Sequence, residues 1–394
     1  MDHTTERRGR WGATLPFPES EYRDRQARVR EEMGRRDIEV LLLVAPESLL
    51  YLTGFDSIEY FSYQMLFVPR DEDRVVLLTR PPEEWIARDI SIADEVVTWR
   101  VEFPPSPVEL TIDVLRTNGW LNRRLALEKA PYYLSVANHE ALRRGVGRDL
   151  EDAVDIVPEL RMRKSAKEIE YVREAARIAD LAVQTARDVV RPGMTEFELQ
   201  AAVLAVTVAE GSEYTAVPDI IGSGWRSALP HATPSHRRIE SGEAVSFETA
   251  GVVHRYHATI GRTLSMGPPS DRLRSLHAIV EQAVDAAVAA ARPGAPVGDV
   301  DRAAKAVIAE AGYERYRIHR TGYGISAGYP PSWLENLNIM ESDSHVLEPG
   351  MVFSIEPPIM AYDEGIGIKL IDDFLMTETA CVCLSRLPRE LIVV

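Results

Sequence analysis

Cysteine is almost missing from this chain: Cys381 and Cys383 are the two in 394 residues. Two positions apart, they share a face when extended and cannot easily bridge each other, so no disulfide framework is expected. Long apolar runs are missing as well. A stretch such as VLLLVA (40–45) is one strand's worth, against the roughly 20 residues of a membrane helix. The opening segment MDHTTERRGRWGATLPFP has mixed charge and no apolar centre, which predicts no secretory signal and a cytoplasmic protein. Basic charge is in deficit, with 45 Lys and Arg against 61 Asp and Glu and a net charge of -16. That balance disfavours nucleic acid and anionic membranes as partners, and it is compatible with a small cationic or zwitterionic molecule.

What is present is ordinary globular composition, 45% hydrophobic and 27% charged, in a chain long enough for two unequal domains. Residues 20–36 read as a charged amphipathic helix. Short apolar runs follow at EVLLLVA, RVVLLTR (74–80), EVVTWR (95–100), RLALEK (124–129) and DAVDIV (152–157), with helical stretches between them. This alternation predicts an α/β chain. The texture changes at Ser165, where SAKE forms a capping box and opens a long helix with apolar residues at helical spacing. The predicted division is therefore 1–160 and 161–394.

The second part carries a faint repeat. ARDVVRPG (186–193) is echoed by AVAAARPG (287–294), and each is followed by a helix ending at a glycine, Gly211 or Gly312. After each unit comes an extended region with a glutamate on an apolar strand: Glu248 in VSFETAG and Glu356 in VFSIEPP. Two similar halves related by an approximate two-fold axis would present both glutamates to one cleft.

With these features the chain resembles the pita-bread family, which includes methionine aminopeptidase, Xaa-Pro aminopeptidase, prolidase, creatinase and ectoine hydrolase. An N-terminal creatinase-type domain matches from LPFPESEYRDR through LLYLTGFD, and ELRMRKSAKEIEYVREAA matches the segment introducing the catalytic domain. The resemblance implies an α/β (α+β) architecture, a creatinase-type domain followed by a pseudo-two-fold pita-bread domain, and a homodimer. Peptidases of this family hold two metal ions with two aspartates, one histidine and two glutamates. Here the resemblance puts those positions on Glu248, Thr259, Pro330, Glu356 and Ile371. Threonine is a poor ligand, and proline and isoleucine side chains offer no lone pair, so neither a metal nor another cofactor is expected. A one-residue shift would offer Asp372 or Asp373, but it reverses the face to which a strand residue points.

The metal-free relatives, creatinase and ectoine hydrolase, cleave a carbon–nitrogen bond in a small amidine-like molecule. Their likeness implies His231, in GSGWRSALPHATPSHRRI, as general acid and base, a task that suits an unperturbed pKa of about 6.5. Glu248 becomes a nucleophile or a holder of the amidine, and Glu356 a second clamp. Two facing carboxylates then predict a preference for a positively charged ligand. Tyr256 and His257 of RYHATIGRT are candidates for the pocket wall, although strand alternation lets only one face inward. Tyr323, Tyr329 and Trp333 add an aromatic surface, and Arg320 is a candidate partner for a substrate carboxylate. Gly261 stands where creatinase has a glutamate, which argues against creatine as substrate. In the N-terminal part, Phe61 and Tyr63 of FDSIEYFSYQ differ from the ectoine hydrolase run and are expected to reshape the pocket. The leading expectation is a metal-independent hydrolase of an amidine, cyclic amidine or amide. Two alternatives stay open: an Xaa-Pro aminopeptidase or dipeptidase with an altered metal site, and a non-catalytic binding protein.

Overall fold

The computed structural model describes residues 14–130 and 132–394. The first thirteen residues of the opening segment, read above for a targeting signal, lie outside them. The chain divides into two compact units, Met1–Arg161 and Met162–Val394. Among the described residues no helix is long and apolar enough to cross a membrane.

The first unit alternates helices and strands: α1 (Glu19–Arg35), β1 (Val40–Leu43), α2 (Pro46–Thr53), β2 (Met65–Pro69), β3 (Val76–Thr79), α3 (Pro81–Asp89), β4 (Glu95–Thr98), α4 (Pro107–Thr117), β5 (Leu125–Leu127), α5 (Val136–Val146), β6 (Glu151–Asp152) and α6 (Ile156–Arg161). Among the described residues the strands form one mixed sheet in the order β4-β3-β2-β1-β5-β6. Apolar layers cover both of its faces. Val40 and Leu42 enter one core cluster, and Leu41 and Leu43 enter the other, which is why β1 is apolar at every position. The run DAVDIV departs from the strand expectation, since only Glu151–Asp152 pair and a helix begins at Ile156. Ile156, Val157 and Leu160 all join the same cluster. A strand would send Ile156 and Val157 to opposite faces, whereas a helix turns both inward.

The second unit opens with α7 (Ala166–Val189), capped by reciprocal hydrogen bonds between Ser165 and Glu168. It continues through α8 (Glu196–Ala209), β7 (Ile220–Ser223), β8 (Ala244–Val253), β9 (Tyr256–Ser265), α9 (Asp271–Ala290) and α10 (Val297–Glu310). The later strands are β10 (Gly322–Tyr329), β11 (Ser332–Ile339), β12 (Val352–Ile355), β13 (Ile359–Ala361), β14 (Ile366–Ile368), β15 (Asp372–Met376), β16 (Cys381–Cys383) and β17 (Ile392–Val393). The order β16-β15-β12-β10-β9-β8-β7 makes one sheet, with β11 beside β10 and β17 beside β9. The sequence repeat corresponds to the pairs α7–α8 and α9–α10, whose second helices are each 14 residues long. Helix α7 lies so close to β8 that a Cβ on Gly251 would stand 2.1 Å from the Ala175 carbonyl oxygen. Cys381 and Cys383 are both free thiols.

Candidate active site

Strand alternation builds the site from two sheet segments. On β8, Val245 and Phe247 enter the core under α7, as do Ile260 and Leu264 of β9. Ser246 and Glu248 therefore point to the opposite face, together with Thr259, Gly261 and Thr263. Glu248 is registered between Ile220 on β7 and Gly261 on β9. In the other half Phe353 and Ile355 of β12 enter the second core, which turns Ser354 and Glu356 the other way. The backbone N–H of Glu356 donates to Thr321 O at 2.7 Å.

The two glutamates open into one cavity of about 680 Å³, within the usual size range of small-molecule sites. His231, Arg320, Tyr323 and Trp333 line it with them. His231 is an exposed loop residue before β8. Tyr323 on β10 accepts a hydrogen bond from Trp333 Nε1 on β11 at 3.4 Å. The Arg320 guanidinium lies 4.9 Å from the Tyr323 ring centroid and donates to Asn338 Oδ1 at 2.5 Å.

Two residues that the sequence reading passed over also line the cavity, Lys369 and His319. Lys369 precedes β15, and its ammonium donates to Glu248 Oε2. His319 Nδ1 lies 3.5 Å from Glu356 Oε1 and 3.1 Å from Arg320 O. Burial and the Arg320 charge hold the His319 imidazole below its ordinary pKa. Burial first, and then the negative charge of Glu248, push the Glu356 carboxyl well above the ordinary range. Both effects favour the neutral form of Glu356, and among the described residues its buried Oε2 has no hydrogen-bond partner. The Tyr323 hydroxyl is likewise pushed up by burial and the nearby glutamates. A signal for Lys369 was available in the sequence, because a single charge in the apolar run IGIKLI shares a strand face with Ile371.

Other candidate residues are placed elsewhere. Tyr256 is buried beneath α7, and its hydroxyl donates to Glu168 Oε1 at 2.7 Å. His257 accepts from Ala216 N at 2.9 Å through Nε2, which assigns the ring proton to Nδ1, 2.7 Å from Arg255 O. Burial pushes its pKa down to about 3, so it stays neutral. Tyr329 is buried under the Arg255 guanidinium, 4.9 Å from its ring centroid. Neither Tyr256, His257 nor Tyr329 lines the cavity, because backbone carbonyls, helix α7 and Arg255 engage their polar or aromatic faces first. Within the first unit, Tyr63 belongs to the core and its hydroxyl meets Thr111 Oγ1 at 2.9 Å, while Phe61 is exposed.

Residues 170–378 match the metallopeptidase family M24, and residues 25–163 match the creatinase/prolidase N-terminal domain. The chain belongs to the M24 family. This M24 protein is a hydrolase of a family whose members act on carbon–nitrogen bonds. It is 30% identical to an ectoine hydrolase of Halomonas elongata over 398 residues, spanning 96% of this chain and 99% of that one. It is 37% identical to an Xaa-Pro dipeptidase of Pyrococcus furiosus over 238 residues, 60% of this chain and 67% of the other. The prolidase from Pyrococcus horikoshii OT3 shares the fold with a TM-score of 0.83 at 27% identity, over 94% of this chain and 100% of that one.

A metallopeptidase family implies metal ions, and the side chains of this M24 protein do not fit a pair of them. Among the described residues no group of three or more His, Cys, Asp and Glu side chains is arranged to hold a metal. Glu248 is engaged by an ammonium. Thr259 is bonded to Asp373, and Asp372 is held between Arg262 at 2.7 Å and Arg389 at 2.9 Å. Neither aspartate lines the cavity, so the one-residue shift that would recruit them is not realised.

Proposed function

We propose that this hydrolase opens a carbon–nitrogen bond in a small zwitterionic amidine or cyclic amidine without using a metal ion, in the manner of an ectoine hydrolase. The observation that carries the reading is the Lys369–Glu248 pair, which places an ammonium against the carboxylate where the peptidases begin their metal ligand set. Similarity to the ectoine hydrolase over nearly the full length of both chains supports it. In this reading Glu248 faces the amidine carbon, as nucleophile or as the acceptor that orients water. His231 takes the proton from water and returns it to the departing nitrogen as the carbon–nitrogen bond breaks. Glu356, whose neutral form burial favours, donates a hydrogen bond to a substrate nitrogen or oxygen. Arg320 holds a substrate carboxylate, and Tyr323 and Trp333 flank the ring. The working protein is proposed to be a cytoplasmic homodimer.

Elemental analysis, combined with a mass-spectrometric screen of ectoine-like, creatine-like and Xaa-Pro compounds before and after chelation, tests this. Ring opening of an amidine that persists after chelation is expected. Activity lost on chelation and restored by a divalent ion would sink it, and binding without product would favour a non-catalytic role. The Xaa-Pro dipeptidase reading draws on the 37% identity to the Pyrococcus furiosus enzyme. It requires stoichiometric metal and cleavage of an Xaa-Pro peptide in the same experiment.

A further inference from the structure

The backbone of Lys369 is fixed before its ammonium is considered. Its N–H donates to Thr263 Oγ1 at 2.9 Å, and its carbonyl accepts from the same hydroxyl at 3.1 Å. Two residues on, Ile371 exchanges two backbone hydrogen bonds with Gly261, each 3.0 Å. The segment is thereby pinned along β9 on the face that carries Thr259, Gly261 and Thr263. From there the Lys369 stem runs into the cavity, and its side chain is 5% exposed beside a Glu248 side chain 8% exposed. A buried ammonium survives desolvation only against an anion, and here the anion is one of the two glutamates that define the site.

We infer that Lys369 is the resident cation of this cavity, a tethered ammonium that takes over the electrostatic place a metal ion holds against Glu248 in the peptidases. This rests on the cavity being the ligand site, as the proposed function has it, and not on the reaction assigned there. Two consequences follow from charge alone. A divalent ion approaching Glu248 meets a fixed positive charge and is repelled. A ligand that engages Glu248 does so beside Nζ, so the group it brings there carries an acceptor as well as a donor. The cavity therefore selects against simple cations. This replaces the expectation that two facing carboxylates favour a positively charged ligand, because the chain supplies the cation itself.

The test uses the full chain with Lys369→Ala and linear alkylammonium ions as probes, read by calorimetry and by thermal stabilisation. Removing the side chain leaves a slot ending at Glu248. Propylammonium should bind Lys369→Ala at least about tenfold more tightly than the wild type, a gain of roughly 1.4 kcal/mol. Tetramethylammonium, too wide for the slot and without an N–H, should show no gain. Equal binding of propylammonium to both proteins, or none to a folded Lys369→Ala, overturns the inference. If Lys369→Ala does not fold, Glu248→Gln serves instead: with its anion removed, Lys369 should acquire saturable formate binding that the wild type lacks, and no gain overturns the inference. Turnover separates the two proposals. Undiminished turnover in Lys369→Ala sinks the role of Lys369 alone. Propylammonium binding, without hydrolysis of any screened compound by the wild type, sinks the proposed reaction alone.

Discussion

Thr259 gives both its backbone N–H and its hydroxyl to the carboxylate of Asp373, at 2.5 and 2.7 Å. The resemblance to the family's peptidases puts Thr259 at the position of their second metal-binding aspartate. In this chain the position donates hydrogen bonds to a carboxylate instead of presenting one. Together with the Lys369–Glu248 pair, this engages the side chains of both Thr259 and Glu248 in internal contacts, a hydrogen bond and an ion pair.

Asp373 makes stability depend on pH. Burial pushes its carboxyl up to about 7, against about 3.9 in an unfolded chain. Between these values the folded state binds the proton that the unfolded state has lost. The contribution is complete below about 4 and is lost as pH rises through about 7. Urea unfolding at pH 5 and pH 7 should show a smaller loss of stability in Asp373→Asn than in the wild type. An identical pH dependence in both proteins would remove Asp373 as its source.

The two cavity glutamates should respond differently to amide substitution. Glu248→Gln leaves the buried Lys369 ammonium without its anion, which costs roughly 3–5 kcal/mol. Glu356→Gln replaces a carboxyl whose neutral form burial and the Glu248 charge already favour, and its cost should stay below about 1.5 kcal/mol. Denaturant unfolding of the two variants checks the order, and a reversed order contradicts the assignment of charge.

His231→Ala should lower turnover of the identified amidine by about 10²–10⁴-fold while changing its Kd little, as expected when a proton-transfer group is removed. Single-turnover kinetics alongside calorimetry separates the two effects. A parallel loss of affinity would recast His231 as a binding residue.

Gly261 and Ile371 are coupled by contact. A Cβ on Gly261 would stand 2.6 Å from Ile371 Cγ1, so Gly261→Ala should destabilise by about 1–3 kcal/mol through overpacking. The double variant with Ile371→Ala should recover part of that loss. A double variant that merely sums the two single losses would show that the contact is not the cause.

Tyr256→Phe removes a buried hydroxyl that binds Glu168 and should cost about 1–3 kcal/mol of stability. Ligand affinity should be unchanged, because the side chain does not line the cavity. A selective loss of affinity at wild-type stability would return Tyr256 to the site.

The sequence by itself determined the α/β class, the long capped helix at Ser165, the repeat and the side-chain chemistry at Thr259, Pro330 and Ile371. Each of these is a local property: apolar period, capping chemistry, or the presence of a lone pair on one side chain. It also pointed to His231, Glu248, Glu356, Arg320, Tyr323 and Trp333, which the tertiary structure gathers around one cavity. Only the tertiary structure decided that Tyr256, His257 and Tyr329 face other partners, since strand alternation defines two faces and packing chooses what covers each. It alone brought Lys369 to Glu248 across 121 positions of chain. A cation for a buried carboxylate is supplied by whichever segment folds against it, and no local pattern encodes that meeting.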